Sequence, residues 1–209
     1  MTLVSEDDAR AFCATLTDSA GAARLKRLAH LIVEENSRQN LIAKASESTI
    51  WLRHLADSAQ LLRHVTGEPM PWLDLGTGAG FPGLVIAAMR PNLSVVLVES
   101  RKKRADWLMR ATAELELGNC RVEGRKLEHV GSFAAAVISA RAFAPMVKLL
   151  TLSASFSTRD TLWLLPKGRS AVQELASLPP ETARMFHVEH SATDAEAGIV
   201  IGTGRPANA

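Results

Sequence analysis

The chain has 209 residues, 47% of them hydrophobic and 22% charged, the balance of an ordinary globular fold and not of a disordered chain. A formal charge of +2 and a pI near 8.7 fall short of the strongly basic character that by itself marks a nucleic-acid binder, so any such site must come from local clustering. Cys13 and Cys120 alone make no disulfide framework. Glu6, Asp7 and Asp8 stand where a secretory leader would carry cations, and apolar runs such as Leu84 to Met89 are too short to span a bilayer. A cytoplasmic monomer without membrane attachment is expected.

Helices come first along the chain. Ser5 and Asp8 have capping-box spacing, and Ala9, Phe12, Cys13 and Leu16 follow at helical intervals. Leu25, Leu28, Ala29 and Ile32 form a second stripe, and Leu52, Leu55, Ala59 and Leu62 form a third on a helix starting near Ser48. Residues 1–66 therefore read as a helical cap, closed by the turn-rich stretch from Gly67 to Pro71. Beyond it, short apolar runs at 72–75, 95–99, 121–122, 135–139 and 161–165 alternate with helical patterns at 82–90, 102–117 and 145–153. That alternation predicts a Rossmann-like α/β unit over 67–209, with a mostly parallel sheet and helices on both faces. Two closing strands, 185–189 and 198–202, fit an antiparallel hairpin on one edge, and 203–209 reads as a loose tail.

Chemistry concentrates at Asp74-Leu75-Gly76-Thr77-Gly78-Ala79-Gly80-Phe81-Pro82-Gly83, between a strand and a helix. Open α/β sheets bind ligands at that place, and glycines let a ligand lie directly on the main chain. Glu99, at the end of the next strand, can accept hydrogen bonds from both hydroxyls of an adenosine ribose. Dinucleotide enzymes share this logic, so the glycines and the acid leave the cofactor open. The G-x-G-x-G spacing, with Asp74 leading in, favours a cofactor with a cationic amino-acid end, S-adenosylmethionine, over a nicotinamide or flavin.

Absent residues narrow the reaction. The loop after the fourth strand reads Ile138-Ser139-Ala140-Arg141-Ala142-Phe143-Ala144-Pro145 and lacks the Asn/Asp-Pro-Pro-aromatic motif of exocyclic-amine methylation. Neither cysteine sits in a loop suited to a C5 nucleophile. An acceptor that already owns a lone pair, such as guanine N7, needs no proton removed, and orientation alone can supply about 7–11 kcal/mol.

These residues carry a resemblance. Asn40-Leu41, Arg53-His54-Leu55-Ala56-Asp57-Ser58, Gly76 to Gly83, Glu99-Ser100, Lys103-Arg104, Ile138 to Ala144 and Lys167-Gly168 occur in the order found in the bacterial ribosomal RNA small-subunit methyltransferase G family, also called glucose-inhibited division protein B. The chain resembles that family over roughly residues 36–168. The resemblance implies a class I S-adenosylmethionine-dependent methyltransferase with a seven-stranded sheet, acting on N7 of a guanine in 16S rRNA, free or within a small-subunit particle. It also implies that Gly76 and Phe81 line the cofactor site, that Leu127 and Glu128 meet the adenine region and that Arg141 lies beside the methyl donor. Two departures stand out: Glu99 replaces the Asp of many relatives, and Ala140 looks inserted before Arg141.

The remaining candidates follow. Asp74, Gly78, Gly80 and Glu99 are expected to bind the cofactor alongside Gly76, Phe81, Leu127, Glu128 and Arg141. Asn40, Arg53, His54, Arg101, Lys103, Arg104 and Lys167 are expected to meet RNA. His54 and Asp57, one helical turn apart, suggest a structural His–Asp hydrogen bond, and Asn40 a helix-end cap or a substrate contact. Arg121, Arg125 and Lys126 read as ordinary solvated surface. His187 and His190 read as strand residues, not metal ligands, because no third ligand is evident. The rival functions are a small-molecule methyltransferase or nicotinamide enzyme in the same crevice, and a non-catalytic rRNA-binding assembly factor.

Overall fold

The fold begins at its capping box. In the computed structural model, which describes residues 2–206, Ser5 Oγ accepts the Asp8 N–H at 3.0 Å and Asp8 Oδ2 accepts the Ser5 N–H at 3.1 Å. Two first-turn donors are thereby satisfied, and helix α1 spans Glu6–Thr15. Helix α2, Ser19–Asn36, is capped by Asp18, which accepts the Gly21 N–H at 2.7 Å. The third helix departs from expectation. A 3-10 segment, Lys44–Thr49, leads into a π-helical segment, Trp51–Ala56, then a short α3, Asp57–Ala59, and a 3-10 turn, Gln60–His64. The carboxylate of Glu6 reaches over from α1 and accepts the N–H groups of Trp51 at 3.1 Å and Leu52 at 2.8 Å, a cap the local sequence does not supply.

Strands β1 (Trp72–Leu75), β2 (Val95–Val98), β3 (Cys120–Glu123), β4 (Val137–Ala140), β5 (Leu162–Gly168), β6 (Phe186–His190) and β7 (Gly198–Thr203) form one sheet, ordered β3-β2-β1-β4-β5-β7-β6. The first five pair in parallel, and β7 runs antiparallel to both β5 and β6. The expected hairpin is present, with β7 inserted beside β5 and β6 left at the edge. Ala140 pairs in register with Leu75, so the residue before Arg141 is an ordinary strand residue, not an insertion that disturbs the ladder. The expected tail begins after Thr203; residues 207–209 of it lie outside the described residues.

Helices α4 (Gly83–Met89) and α5 (Lys102–Glu114) cover one face, and α6 (Met146–Ser153) and α7 (Ala171–Ala176) the other, with a short α8 (Pro180–Ala183) before β6. Strand alternation divides the core. Trp72, Val95, Leu97 and Val137 face a layer containing Leu28, Ile32, Leu55, Leu84 and Trp107. Leu73, Leu75, Val96, Val98 and Ile138 face Met146, Leu149 and Phe156. The N-terminal helices thus share one apolar layer with α4 and α5. The strand order reverses between β1 and β4, placing the ligand crevice at their carboxyl ends. No helix among the described residues is long and apolar enough to cross a membrane.

Candidate functional site

The glycine loop is built around a buried acid. Asp74 is fully enclosed; it accepts the Gly83 N–H at 3.0 Å and the Ser139 hydroxyl at 2.6 Å, and Ser139 in turn accepts the Trp72 Nε1–H at 2.8 Å. Burial pushes its carboxyl up to about 6, against the hydrogen bonds from Ser139 and Gly83. Asp74 therefore does not line the crevice, contrary to the expectation that it meets the cofactor: it ties the loop to the start of α4. Gly80 is also buried, with the Leu84 side chain where a Cβ would go, and supports the turn from beneath. Gly76 and Gly78 are the glycines that face the opening, with φ of 62° and 58°. A Cβ on Gly76 would lie 2.5 Å from the Phe143 ring.

Beside these glycines lies a cleft of about 550 Å³, lined among others by Phe81, Glu99, Leu127, Glu128 and Arg141. Glu99 Oε2 accepts the Gly78 N–H at 3.1 Å and Oε1 the Arg101 N–H at 2.8 Å. Each oxygen keeps a second lone pair for a ligand hydroxyl. Arg101, Arg104, Arg125, Lys126 and Lys148 also line the cleft; Arg125 and Lys126 are solvent-exposed, as expected, and stand on its rim. Among the described residues, Arg101, Arg104, Lys126 and Lys148 have no carboxylate within ion-pair distance, while Arg125 pairs with Glu123 at 3.1 Å.

Arg141 closes one end of the cleft. Its Nη1 donates to Asp57 Oδ2 at 3.1 Å, its Nη2 lies 3.1 Å from His54 Nδ1, and its guanidinium sits 4.7 Å above the Phe81 ring. The His54 ring stacks on the same phenyl at 4.9 Å. The expected His54–Asp57 bond is absent; the two residues converge on Arg141. Burial, and then the Arg141 and Arg53 charges, push His54 down to about 3, so its ring is neutral and Nδ1 can accept from the guanidinium. Asp57 is itself fixed by Gln60 Nε2 at 2.9 Å and by the Thr193 hydroxyl at 2.9 Å. On the far side of Arg141 opens a second cavity of about 830 Å³, which shares Arg141, Ala142, Phe143 and Ala144 with the first.

Other expected RNA contacts separate. Lys167 is not a free cation: its ammonium donates to Glu174 at 2.8 Å and to the Ala144 carbonyl at 2.8 Å, and its side chain is 5% exposed. It closes the Arg141 loop onto β5. Arg53 is exposed at the rim of the larger cavity, 3.8 Å from Asp194. Lys103 is exposed on α5 and lines neither cavity. Asn40 is exposed and acts through its carbonyl, which accepts from Arg104 Nη2 at 2.9 Å. Asn40 caps no helix: α2 is closed by Ser37, whose N–H donates to the Glu34 and Glu35 carbonyls, and Asn36 Oδ1 ties down the loop by accepting the N–H groups of Leu41 and Ile42 at 2.8 and 3.0 Å. Asparagine at a helix end was the available signal for Asn36. For Thr193 and Asp194, more than 130 residues from Asp57 in sequence, there was none. Burial pushes both Cys13 and Cys120 thiols up to about 12, which leaves neither as a thiolate nucleophile.

The sequence pattern of the family described as rRNA small subunit methyltransferase G matches residues 22–197. The chain belongs to this family. A relative named ribosomal RNA small subunit methyltransferase G, from Erythrobacter litoralis (strain HTCC2594), is 54% identical over 203 residues, covering 97% of this chain and 98% of its own. A solved S-adenosylmethionine-dependent methyltransferase from Aquifex aeolicus superimposes with a TM-score of 0.58 at 15% identity, over 77% of this chain and 94% of its own. A variant of MtNAS solved with S-adenosylmethionine gives 0.55 at 15% identity, over 96% and 78%. These similarities establish the class I methyltransferase fold. The cleft also fits that cofactor class chemically: two side-chain-free loop residues, a carboxylate with spare lone pairs and the buried apolar Leu127 stand around one opening.

Proposed function

We propose that this protein transfers the methyl group of S-adenosylmethionine to N7 of a guanine in 16S rRNA, presented in the small ribosomal subunit or an assembly precursor. S-adenosylmethionine, when bound, supplies an electrophilic sulfonium methyl. Gly76 and Gly78 admit it against the backbone, Glu99 accepts from its ribose, Leu127 packs by the adenine with Glu128 at the edge, and Arg141 and Phe81 bound the reacting end.

The observation that carries the reading is that, where the two cavities meet, Arg141 is held by the Asp57 carboxylate and by a neutral His54 ring. Arg141 cannot lose its proton. His54 is pushed to about 3 and its Nδ1 faces the Arg141 guanidinium. Groups so placed hold and orient; they do not abstract protons. Guanine N7 attacks with a lone pair it already owns, so a site limited to positioning suffices, and positioning can be worth about 7–11 kcal/mol. The unpaired cations around the cleft match a phosphate-rich substrate.

The test is incubation of the purified protein with methyl-labelled S-adenosylmethionine and small-subunit particles from cells lacking the gene, followed by digestion to nucleosides. Label in 7-methylguanosine, abolished by Arg141→Ala, is the expected result. Label in another nucleoside, or transfer to small molecules only, overturns the assignment.

A further inference from the structure

The larger cavity lies away from the glycine loop and Glu99, yet it opens on the same Arg141 loop. Its walls come from the π-helical segment, from the loop after β4, from the end of β5 and from the connection between β6 and β7. Its volume of about 830 Å³ lies within the about 300–1,000 Å³ of small-ligand pockets. Apolar surface is provided by Phe143, Pro145, Pro166 and Ile199, suited to the faces of a flat ring. A base buried in an RNA helix must leave its stack to reach a methyl donor at the floor of a cleft.

Three carboxylates line this cavity, and their partners distinguish them. Asp57 is taken by Arg141, Gln60 and Thr193. Glu174 is taken by Lys167 at 2.8 Å, by the Met146 N–H at 3.0 Å and by Ser170 at 3.1 Å. Asp194 differs. Its Oδ1 accepts the Glu196 N–H at 3.0 Å, but among the described residues Oδ2 meets only the exposed Arg53, at 3.8 Å, beyond hydrogen-bond range. Backbone bonds anchor the residue: the Ala197 N–H donates to its carbonyl at 3.0 Å, and its neighbour Thr193 is tied to Asp57.

We infer that the larger cavity receives the unstacked target guanine and that Asp194 reads its Watson–Crick edge, accepting hydrogen bonds from the N1–H and the 2-amino group. This rests on the guanine-N7 reading above. Guanine is the base whose Watson–Crick edge offers two adjacent donors, the complement of a carboxylate. The arrangement also serves the reaction. Methylation at N7 places positive charge on the ring and makes N1–H a stronger donor, so an Asp194 carboxylate binds the transition state more tightly than the ground state. Adenine presents an acceptor at N1 and is rejected by the same oxygen. Arg53, beside Asp194 at the rim, is placed to meet a flanking phosphate.

The experiment uses small-subunit particles rebuilt around ligated 16S rRNA carrying either guanosine or inosine, which lacks the 2-amino group, at the target position. Methyl transfer by the wild-type protein and by Asp194→Asn is measured on both. The wild type is expected to prefer guanosine by roughly tenfold or more in kcat/KM. Asp194→Asn is expected to lose a similar factor on guanosine and to discriminate between the two particles by less than about twofold. Wild-type transfer that ignores the 2-amino group overturns the inference without any variant. So does an Asp194→Asn protein that keeps the full preference. Failure of the wild type to methylate even the guanosine particle is a separate result, and it removes the N7 reading itself.

Discussion

Arg141 is held in a fork of unlike acceptors, one carboxylate and one neutral imidazole, over a phenyl face. A lysine cannot reproduce that fork. Losing one charge-assisted hydrogen bond costs about 1.5–3 kcal/mol of stability, so Arg141→Lys is expected to lower the denaturation midpoint by that order and, by displacing the reacting end, to slow single-turnover methylation by about tenfold or more. Two neighbours make opposite pH predictions. Asp74 is raised from 3.8 to about 6, so the unfolded chain ionises first; the stability it contributes is full below about pH 4 and is lost as pH rises through 6. Asp74→Asn should remove that loss, about 3 kcal/mol at most for a shift of this size, as read by denaturant titration at pH 4 and pH 7. His54 is lowered from 6.5 to about 3, so the unfolded chain binds the proton first; its contribution is present above about pH 6.5 and fades as pH falls toward 3. Its imidazole carbon-bound protons, followed by NMR, should show no titration between pH 8 and pH 5, and a midpoint near 6.5 would contradict the buried acceptor role. At this scale the sequence was readable where partners are near in the chain, as for Ser5 and Asp8. It was misleading where they are distant. His54 and Asp57 look like each other's partners at helical spacing, yet both serve an arginine more than 80 residues on. Lys167 looks like a rim cation until β5 and α7 bring Glu174 against it.

Elements decide where those residues stand. The π-helical segment Trp51–Ala56 presents Arg53 and His54 to the larger cavity, and Glu6 caps its start from α1. Glu6→Ala leaves two backbone donors short of a partner, at about 1–3 kcal/mol each, and is expected to lower both the denaturation midpoint and methylation, because His54 and Asp57 move with the segment. The glycine loop makes a sharper prediction. Gly76→Ala forces a side chain into a left-handed conformation and onto the Phe143 ring; cofactor binding by calorimetry should fall by at least tenfold, with a smaller loss of stability. The strands of the parallel half were readable to within three residues, because the short apolar runs alternate with helical patterns and are bounded by turns. The unusual winding at Trp51 was not: the same Leu52, Leu55 and Ala59 stripe is compatible with α or π geometry, and the carboxylate that caps the segment lies 45 residues away.

For the molecule as a whole, a net charge of +2 conceals a one-sided distribution. Arg101, Arg104, Lys126 and Lys148 gather around the cofactor cleft without acidic partners among the described residues. Affinity for rRNA particles should therefore fall with salt. Lys126→Ala and Lys148→Ala should each reduce the slope of log affinity against log salt by about 0.7–0.9 if each neutralises one phosphate. Composition could not reveal this cluster, because the cations come from α5, from the stretch after β3 and from α6, and only the fold brings them to one rim. We propose that the cleft this rim borders and the larger cavity beside it serve one methylation, at N7 of a guanine in small-subunit rRNA. The most direct measurement is mass-spectrometric nucleoside mapping of 16S rRNA from cells with and without the gene. One 7-methylguanosine is expected to disappear without the gene and to return with the wild-type protein but not with Arg141→Ala. An unchanged 7-methylguanosine profile would contradict this assignment.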